Sequence, residues 1–177
     1  MITKRTIQLV SGALFLLIAG LSGARAAVPV GGVLDFAIVR NGKEIGTHVY
    51  RFREAQEGLQ VDVQTRIQFK LGFVTVHRFN HDSHETWKDG RLIAFSSASN
   101  EKNIVKGRAK FQVAVLKDEG DLDVHAAKQE WRAPADAIPA SLWNRKFGDS
   151  NTLIDTVDGA KLAIEVEALG RDVISVN

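Results

Sequence analysis

The feature that most constrains the fold is an alternation of apolar and polar residues with a period of two, broken by regularly spaced turn dipeptides. In Leu59–Leu71, for example, Leu, Val, Thr, Ile and Phe alternate with Gln, Asp, Arg and Lys. This alternation is typical of a strand with one buried face. Dipeptides that favour tight turns lie at Asn41-Gly42, Glu57-Gly58, Asp89-Gly90, Glu119-Gly120 and Asp158-Gly159. We therefore predict an all-β fold, an antiparallel meander that forms an open or incomplete β-barrel.

The first hairpin can be predicted residue by residue. If Asn41-Gly42 forms a two-residue type I′ turn, the pairing runs back in step until Asp35 stands opposite His48. Side chains that stand opposite one another on antiparallel strands are close enough to interact. We therefore expect a cross-strand contact between Asp35 and His48.

The alternation stops at Ala133–Asn144, "APADAIPASLWN", which holds two of the three prolines of the chain. Ile138 and Leu142 are four residues apart, the spacing of one helical turn. We predict a short helix or 3₁₀ turn at Ile138–Trp143 that caps one end of the sheet. Further strands are predicted at Thr152–Val157 and Lys161–Leu169, with another that begins at Asp172.

Residues 1–26 have the pattern of a secretory signal peptide. Two basic residues precede the apolar run Ile7–Leu21, and small residues at Ala24 and Ala26 suit signal peptidase. The run of about 15 apolar residues is shorter than the about 20 of a membrane span. We predict cleavage after Ala26, a periplasmic location, no membrane span after cleavage, and a single β domain at residues 27–177.

Composition narrows the functional classes. Three of the 23 basic residues lie in residues 1–26, which leaves 20 basic against 21 acidic residues, so no nucleic-acid partner is expected. The chain has no cysteine. Disulfides, thiolate metal ligands and cysteine nucleophiles are therefore excluded, and no cofactor is predicted.

The stretch His77–Trp87, "HRFNHDSHETW", holds three of the five histidines. On a helix, His77, His81 and His84 would share one face, as metal ligands can. The flanking Val and Phe residues favour a strand instead. On a strand, His84 lies on the opposite face and His77 is about 13 Å from His81, at about 3.3 Å per residue. We therefore predict no metal site here.

One face of this strand carries Phe79, His81, Glu85 and Trp87. Large aromatic rings mixed with polar groups suit a barrel cavity that holds a small apolar or amphipathic, lipid-like ligand. His81 and Glu85 would then be its polar anchors. The alternative is that these two side chains belong to an internal polar network.

Two other functions stay open, although non-catalytic binding is the favoured one. A periplasmic hydrolase could use Asp35 with His48, or His81 with Glu85, as an acid/base pair, but the chain has no G-x-S-x-G motif. An envelope interaction module could instead pair with a protein partner through an exposed edge strand at Asp172–Asn177.

Several segments together resemble the DUF6134 family of exported bacterial proteins and, more distantly, DUF3108-type exported β proteins. They are "FAIVRNGKEIGTHVYRF", "HRFNHDSHETWKDGRLIAFSS", "APADAIPASLWN" and "TLIDTVDGA". The resemblance covers Val33–Leu169 and implies export and a barrel-like antiparallel fold, with no assigned activity and no catalytic positions. Family members continue for several strands beyond "EALG". We therefore expect this chain to be a fragment or to have lost its C-terminal portion.

Overall fold

The computed structural model describes residues 28–148, 150–164, 166–168 and 174–176. The predicted signal peptide lies outside these residues. Eight strands form one antiparallel sheet in which each strand is hydrogen-bonded to its neighbours in the chain. They are β1 (Val33–Arg40), β2 (Lys43–Ala55), β3 (Gly58–Leu71), β4 (Val74–Lys88), β5 (Arg91–Asn103), β6 (Gly107–Asp118), β7 (Asp121–Ala126) and β8 (Gln129–Ala133).

The sheet is open, because no ladder joins β1 to β8 within the described ranges. Because the strands also pair in chain order, the predicted all-β antiparallel meander is confirmed. Asn41 and Gly42 connect β1 to β2 with positive φ angles of 51° and 74°, as a type I′ turn requires. The same pair of positive φ angles recurs at Asp89-Gly90 and Glu119-Gly120. Turn chemistry therefore sets three of the hairpins.

A β-bulge shifts the pairing of β1 with β2. Ile38 pairs with Gly46 rather than with Ile45, which is the extra residue of β2. Glycine is required at position 46, because a Cβ there would lie 2.0 Å from the carbonyl oxygen of Arg66 on β3. The close approach of β2 to β3 thus depends on a residue without a side chain.

The bulge corrects the prediction for Asp35 and His48. Asp35 pairs with Val49, and His48 pairs with Phe36 on β1 and with Thr65 on β3. The predicted cross-strand contact between Asp35 and His48 is therefore wrong. A shift of one residue moves a side chain to the other face of the sheet, so the two side chains no longer stand opposite each other.

One face of the sheet, which we call the inner face, carries the hydrophobic core. The alternation of β3 and β4 is confirmed, because Val61 and Val63 are buried together with Ser83, Glu85 and Trp87 of the neighbouring strand. The other strands add Tyr50, Leu92, Phe95, Val113, Val115, Leu122 and Val124 to this core.

The described chain that follows β8 packs on the inner face, and we call residues 134–148 and 150–164 the cap segment. It contains β9 (Ile138–Pro139), a 3₁₀ turn (Arg145–Gly148), β10 (Thr152–Ile154) and β11 (Lys161–Ala163), with β10 between the other two strands. Ile138, Leu153 and Ile154 are at most 3% exposed and belong to the core. Burial of each such side chain contributes on the order of 2 kcal/mol.

The predicted helix or 3₁₀ turn at Ile138–Trp143 is wrong. Ile138 and Pro139 form β9, which pairs in parallel with β10, and the 3₁₀ turn lies further along the chain at Arg145–Gly148. The reason is Pro139, which has no N–H group to donate and disfavours the helical conformation at the residue before it. The segment nevertheless packs against the sheet, with Ile138 in the core.

Two short strands lie near the end of the chain. β12 (Val166–Ala168) and β13 (Ile174–Val176) form an antiparallel pair. The predicted strand that begins at Asp172 is thus described at Ile174–Val176, and there it pairs with β12. Asp172, Val173 and Asn177 lie outside the described residues.

Candidate functional site

Six side chains form a row across the inner face, each in register with the next, and we call this row the histidine rung. It crosses β1 to β6 through Phe36, His48, Thr65, His81, Ser99 and Phe111. Nδ1 of His48 lies 2.7 Å from Oγ1 of Thr65, and Nδ1 of His81 lies 2.7 Å from Oγ of Ser99. A hydroxyl group on the adjacent strand thus orients each imidazole.

Burial favours the neutral form of both histidines of the rung. Burial lowers the pKa of His48, and it also lowers the pKa of His81, which is 5% exposed. The nearby charge of Asp82 partly opposes the second effect. A buried imidazolium would lose its hydration, so the uncharged ring is the stable form. The rung therefore adds polar groups to the inner face without adding charge.

A carboxylate pocket lies where the cap segment meets β4. Glu85 is fully buried, and its Oε2 accepts hydrogen bonds from the indole N–H groups of Trp87 at 2.8 Å and Trp143 at 3.0 Å. The two indoles meet edge to face, with ring centroids 5.5 Å apart. Ser141 is also buried beside this carboxylate. The pocket is thus closed by the protein's own side chains.

Burial raises the pKa of Glu85 to about 7, even though Trp87, Ser141 and Trp143 favour the ionised form. Burial also raises the pKa of Tyr50, which Ser141 partly opposes. Although Ser141 lies close enough to influence both groups, Glu85 Oε1 and Ser141 Oγ have no hydrogen-bond partner of ordinary geometry among the described residues. Half of the carboxyl group is therefore left unsatisfied, which favours its neutral form.

Neither polar pair of the inner face forms a hydrolytic site of the usual kind. His48 contacts Thr65 instead of Asp35, so the first predicted acid/base pair is not assembled. The second predicted pair, His81 with Glu85, is not assembled either, because His81 contacts Ser99 and Glu85 accepts hydrogen bonds from Trp87 and Trp143. His81 and Glu85 are both buried. A nucleophile and its base must reach the substrate, and burial denies this pair such access.

An open pocket of about 490 Å³ lies on the inner face beyond the histidine rung, and we call it the hairpin-end pocket. It adjoins the turns that join β1 to β2, β3 to β4 and β5 to β6. Its lining combines apolar side chains with a few polar ones: Arg40, Ile45, Ile67, Phe69, Val76, His77, Asn103, Ile104 and Val105. The volume falls in the range of small-molecule sites.

The polar side chains of this pocket are Arg40, His77 and Asn103, and we call them its polar corner. The guanidinium of Arg40 lies over the ring of Phe69, 5.3 Å from its centroid. His77 Nδ1 lies 3.5 Å from the amide nitrogen of Asn103 and 3.6 Å from a carboxylate oxygen of Glu101. The pocket therefore pairs an apolar wall with a polar corner that contains a cation.

A smaller cleft of about 320 Å³ lies beside Trp87, between the turn from β4 to β5 and the cap segment. Leu92 and Ile138 contribute apolar surface, and Arg91, Asp136 and Lys146 contribute charge. The Lys146 ammonium donates a hydrogen bond to the carbonyl oxygen of Gly90 across this cleft. That bond ties the cap to the turn.

The four predicted ligand-binding residues share the inner face but lie in two environments. Glu85 and Trp87 lie in the closed carboxylate pocket. His81 lies in the histidine rung, and the ring of Phe79 stacks on it with centroids 6.1 Å apart. Phe79 also pairs with Ile67, which lines the hairpin-end pocket. Phe79 and His81 are therefore the pair nearer to the hairpin-end pocket, whereas Trp87 borders the smaller cleft.

Sequence reasoning missed the partners of these residues. The hydroxyl groups of Thr65 and Ser99 lie on strands whose register could not be assigned from one sequence. Trp143 reaches Glu85 from a position 58 residues away along the chain. The alternation of β3 was the one signal for Thr65, because it placed this hydroxyl on the inner face.

Two negative findings concern metals and membranes. No group of three or more His, Asp or Glu side chains in the described ranges is arranged to hold a metal ion. No helix in the same ranges is long and apolar enough to cross a membrane.

Comparisons with known proteins identify a family. A family model described as a domain of unknown function, DUF6134, matches residues 36–177. No curated protein and no solved structure matches the chain.

Proposed function

The chain belongs to the DUF6134 family, and we propose that it is an exported periplasmic protein that binds a small amphipathic ligand in the hairpin-end pocket. The signal-like pattern of residues 1–26 supports export. The binding proposal rests on one observation: the cap segment covers only part of the inner face, and the apolar side chains beyond the histidine rung line an open pocket.

The apolar wall suits a hydrocarbon chain. Ile45, Ile67 and Phe69 line the pocket and are only half-buried, although they lie on strands whose other inner residues form the core. Phe79 adjoins this wall through its pairing with Ile67. An acyl chain laid on these residues would remove apolar surface from water, which is favourable by roughly 25 cal/mol per Å².

The polar corner suits an anionic head group. Arg40 has no acidic partner within the described ranges, whereas the charge of Glu101 lies near His77. A carboxylate or phosphate head placed over Arg40 can accept charge-assisted hydrogen bonds from the guanidinium. The proposed ligand is therefore an acyl chain with an anionic head, with its tail directed toward Phe79 and His81.

The carboxylate pocket has a different role in this proposal. Glu85 and Trp87 are covered by Trp143 and Ser141, so the ligand does not reach them. They hold the cap segment on the inner face. The position of the cap segment in turn decides how much of the inner face stays open at the hairpin-end pocket. A hydrolase and an edge-strand partner are less favoured, because His81 and Ser99 are buried and the strand at Ile174–Val176 already pairs with β12.

The test is titration of a dansyl-labelled undecanoic acid, followed by its fluorescence, into protein purified without detergent. We expect saturable binding that unlabelled palmitate displaces. Arg40→Gln and Ile67→Ser should each raise Kd about tenfold, which corresponds to 1.4 kcal/mol.

Matched controls lie outside the pocket. Lys110→Gln removes a charge from an exposed position of β6, and Leu116→Ser removes an exposed apolar side chain of the same strand. Both should leave Kd unchanged. The proposal fails if the wild-type protein shows no saturable binding, or if the control variants weaken binding as much as the pocket variants.

A further inference from the structure

We propose that the hairpin end of the sheet docks onto the surface of a bilayer that contains anionic lipids. The docking element consists of two turns whose apolar side chains project into solvent, and we call these side chains the apolar tips. They are Leu71, Phe73 and Val74 at the turn from β3 to β4, and Ile104 and Val105 at the turn from β5 to β6.

The apolar tips are exposed to an unusual degree for large hydrophobic residues. Phe73 is 106% exposed and Val105 is 88% exposed, so neither contributes to the core. Large apolar side chains gathered in one exposed region mark an interaction surface more often than single ones do. Turn residues that served only to reverse the chain would not need to be apolar.

The two turns form one surface. In an antiparallel meander the β3–β4 and β5–β6 connections lie at the same end of the sheet. The backbone N–H of Ile104 donates a hydrogen bond to the carbonyl oxygen of Val76 at 3.0 Å, which joins the second turn to the strand that follows the first. Both sets of tips can therefore enter the same membrane.

Basic residues surround the tips. Eight Lys and Arg side chains stand near this end of β1 to β6, against the acidic Glu44 and Glu101: Arg40, Lys43, Lys70, Arg78, Lys102, Lys106, Arg108 and Lys110. No ion pair with an acidic side chain involves any of these eight within the described part of the chain. This arrangement complements the negative surface of anionic lipids.

The opposite end of the sheet provides an internal comparison. Its three hairpin turns contain Glu57, Asp89 and Glu119, and no large hydrophobic residue is exposed in any of the three. Val30, which is exposed, lies in the turn that precedes β1, at the same end of the sheet. One fold therefore carries acidic, hydrophilic hairpin turns at one end and apolar turns flanked by cations at the other. Apolar insertion together with lipid-phosphate attraction accounts for both properties of the hairpin end.

A bilayer is favoured over a protein partner because the tips project as separate points. Surfaces that bind proteins gain affinity from a packed apolar centre with a polar rim. Here the most exposed of the tips, Phe73 and Val105, lie in the turns, and all the cations except Lys106 lie behind them on the strands. This order along the axis of the sheet matches the order of acyl chains and phosphates in a leaflet.

The experiment is co-sedimentation with vesicles of phosphatidylcholine alone, or of phosphatidylcholine and phosphatidylglycerol in equal parts. We expect binding to the mixed vesicles, with at least about a tenfold loss on pure phosphatidylcholine or in high salt. The double variant Phe73→Ser/Val105→Ser should lose binding to a similar extent. Leu116→Ser removes an equally apolar exposed side chain away from the tips and should bind as the wild type does.

A direct depth measurement complements the variants. Tryptophan placed at the tip in Phe73→Trp should shift its emission to the blue and be quenched by brominated lipid, whereas Leu116→Trp should show neither effect. The inference is overturned if the wild type does not bind the mixed vesicles, or if tip and control variants behave alike. Self-association that the tip variant abolishes, without vesicle binding, would overturn it in favour of a protein contact. None of these readouts requires a ligand in the hairpin-end pocket.

Discussion

Trp143 donates its indole N–H to Glu85 Oε2 over 3.0 Å, and this hydrogen bond joins the cap segment to the centre of the eight-stranded sheet. The same carboxylate oxygen accepts a hydrogen bond from Trp87, two residues further along β4. One buried acid thus links two parts of the chain that are far apart in sequence. The stability of the cap should depend on the protonation of this acid.

The first prediction concerns pH. Burial raises the pKa of Glu85 from 4.5 to about 7, so the folded state takes up the proton more readily than the unfolded chain does. The group therefore stabilises the fold fully below pH 4.5, and this contribution is lost as the pH rises through about 7. The shift corresponds to about 3 kcal/mol. Glu85→Gln keeps an acceptor for both indoles but cannot titrate.

The measurement is chemical denaturation of both proteins at several pH values, followed by tryptophan fluorescence. The free energy of unfolding of the wild type, minus that of Glu85→Gln, should fall by about 3 kcal/mol between pH 4.5 and about 8. His81→Asn provides a control of opposite sign. Burial lowers the pKa of His81, so its contribution is present above pH 6.5 and is lost as the pH falls. If the difference in unfolding free energy changed with pH in the same direction for both variants, the raised pKa of Glu85 or the lowered pKa of His81 would be contradicted.

The second prediction concerns Trp143. Trp143→Phe keeps an aromatic ring against Phe52 and Trp87 but removes the N–H that Glu85 accepts. Glu85 Oε2 keeps its hydrogen bond from Trp87, so we expect the free energy of unfolding to fall by about 0.5–1.5 kcal/mol, the usual contribution of one hydrogen bond. Denaturation at neutral pH measures this cost. The adjacent Leu142 is 75% exposed, and Leu142→Ala should change stability by at most about 0.5 kcal/mol. Equal effects of the two variants would show that the indole hydrogen bond does not hold the cap.

The third prediction concerns the contact between the cap segment and the sheet at Gly159. Its φ is +74°, and a Cβ there would lie 2.8 Å from Cβ of Ala126 on β7. Gly42 has the same φ of +74°, but a Cβ at that position would have no other atom within 4 Å. Both alanine variants incur the same backbone strain, and only Gly159→Ala adds a clash.

Gly159→Ala should therefore be less stable than Gly42→Ala by about 1–3 kcal/mol, the usual cost of overpacking. Thermal or chemical denaturation of the two variants side by side measures this difference. If the two variants are equally stable, the cap does not pack against β7 as tightly as the structure indicates.

Much of the sheet could be predicted from the sequence because its determinants are local. Alternation in β3 and β4 placed Val61, Val63 and Glu85 on one face, and the pair Asn41-Gly42 adopted the expected turn. Both signals depend on neighbouring residues alone. The family resemblance was likewise confirmed, by a match over residues 36–177.

The predicted pairing of Asp35 with His48 was wrong for a non-local reason. The bulge at Ile45 precedes Gly46, whose backbone lies close to Arg66 on the next strand, and no pattern within the first hairpin reports that contact. The helix expected at Ile138–Trp143 failed in a similar way. Ile138 instead pairs in parallel with Leu153 on β10, a strand that lies beyond the predicted segment.

By itself, then, the sequence determined the strands, most of their turns and the face on which His81 and Glu85 lie. Only the tertiary structure decided that Glu85 is sealed beneath Trp143 while the surface beyond Phe79 stays open. The physical reason is that alternation specifies which face of a strand is apolar. The side chains that cover this face come from the cap segment, which is distant in sequence. The extent of that cover, and hence the position of the open pocket, depends on where the cap docks.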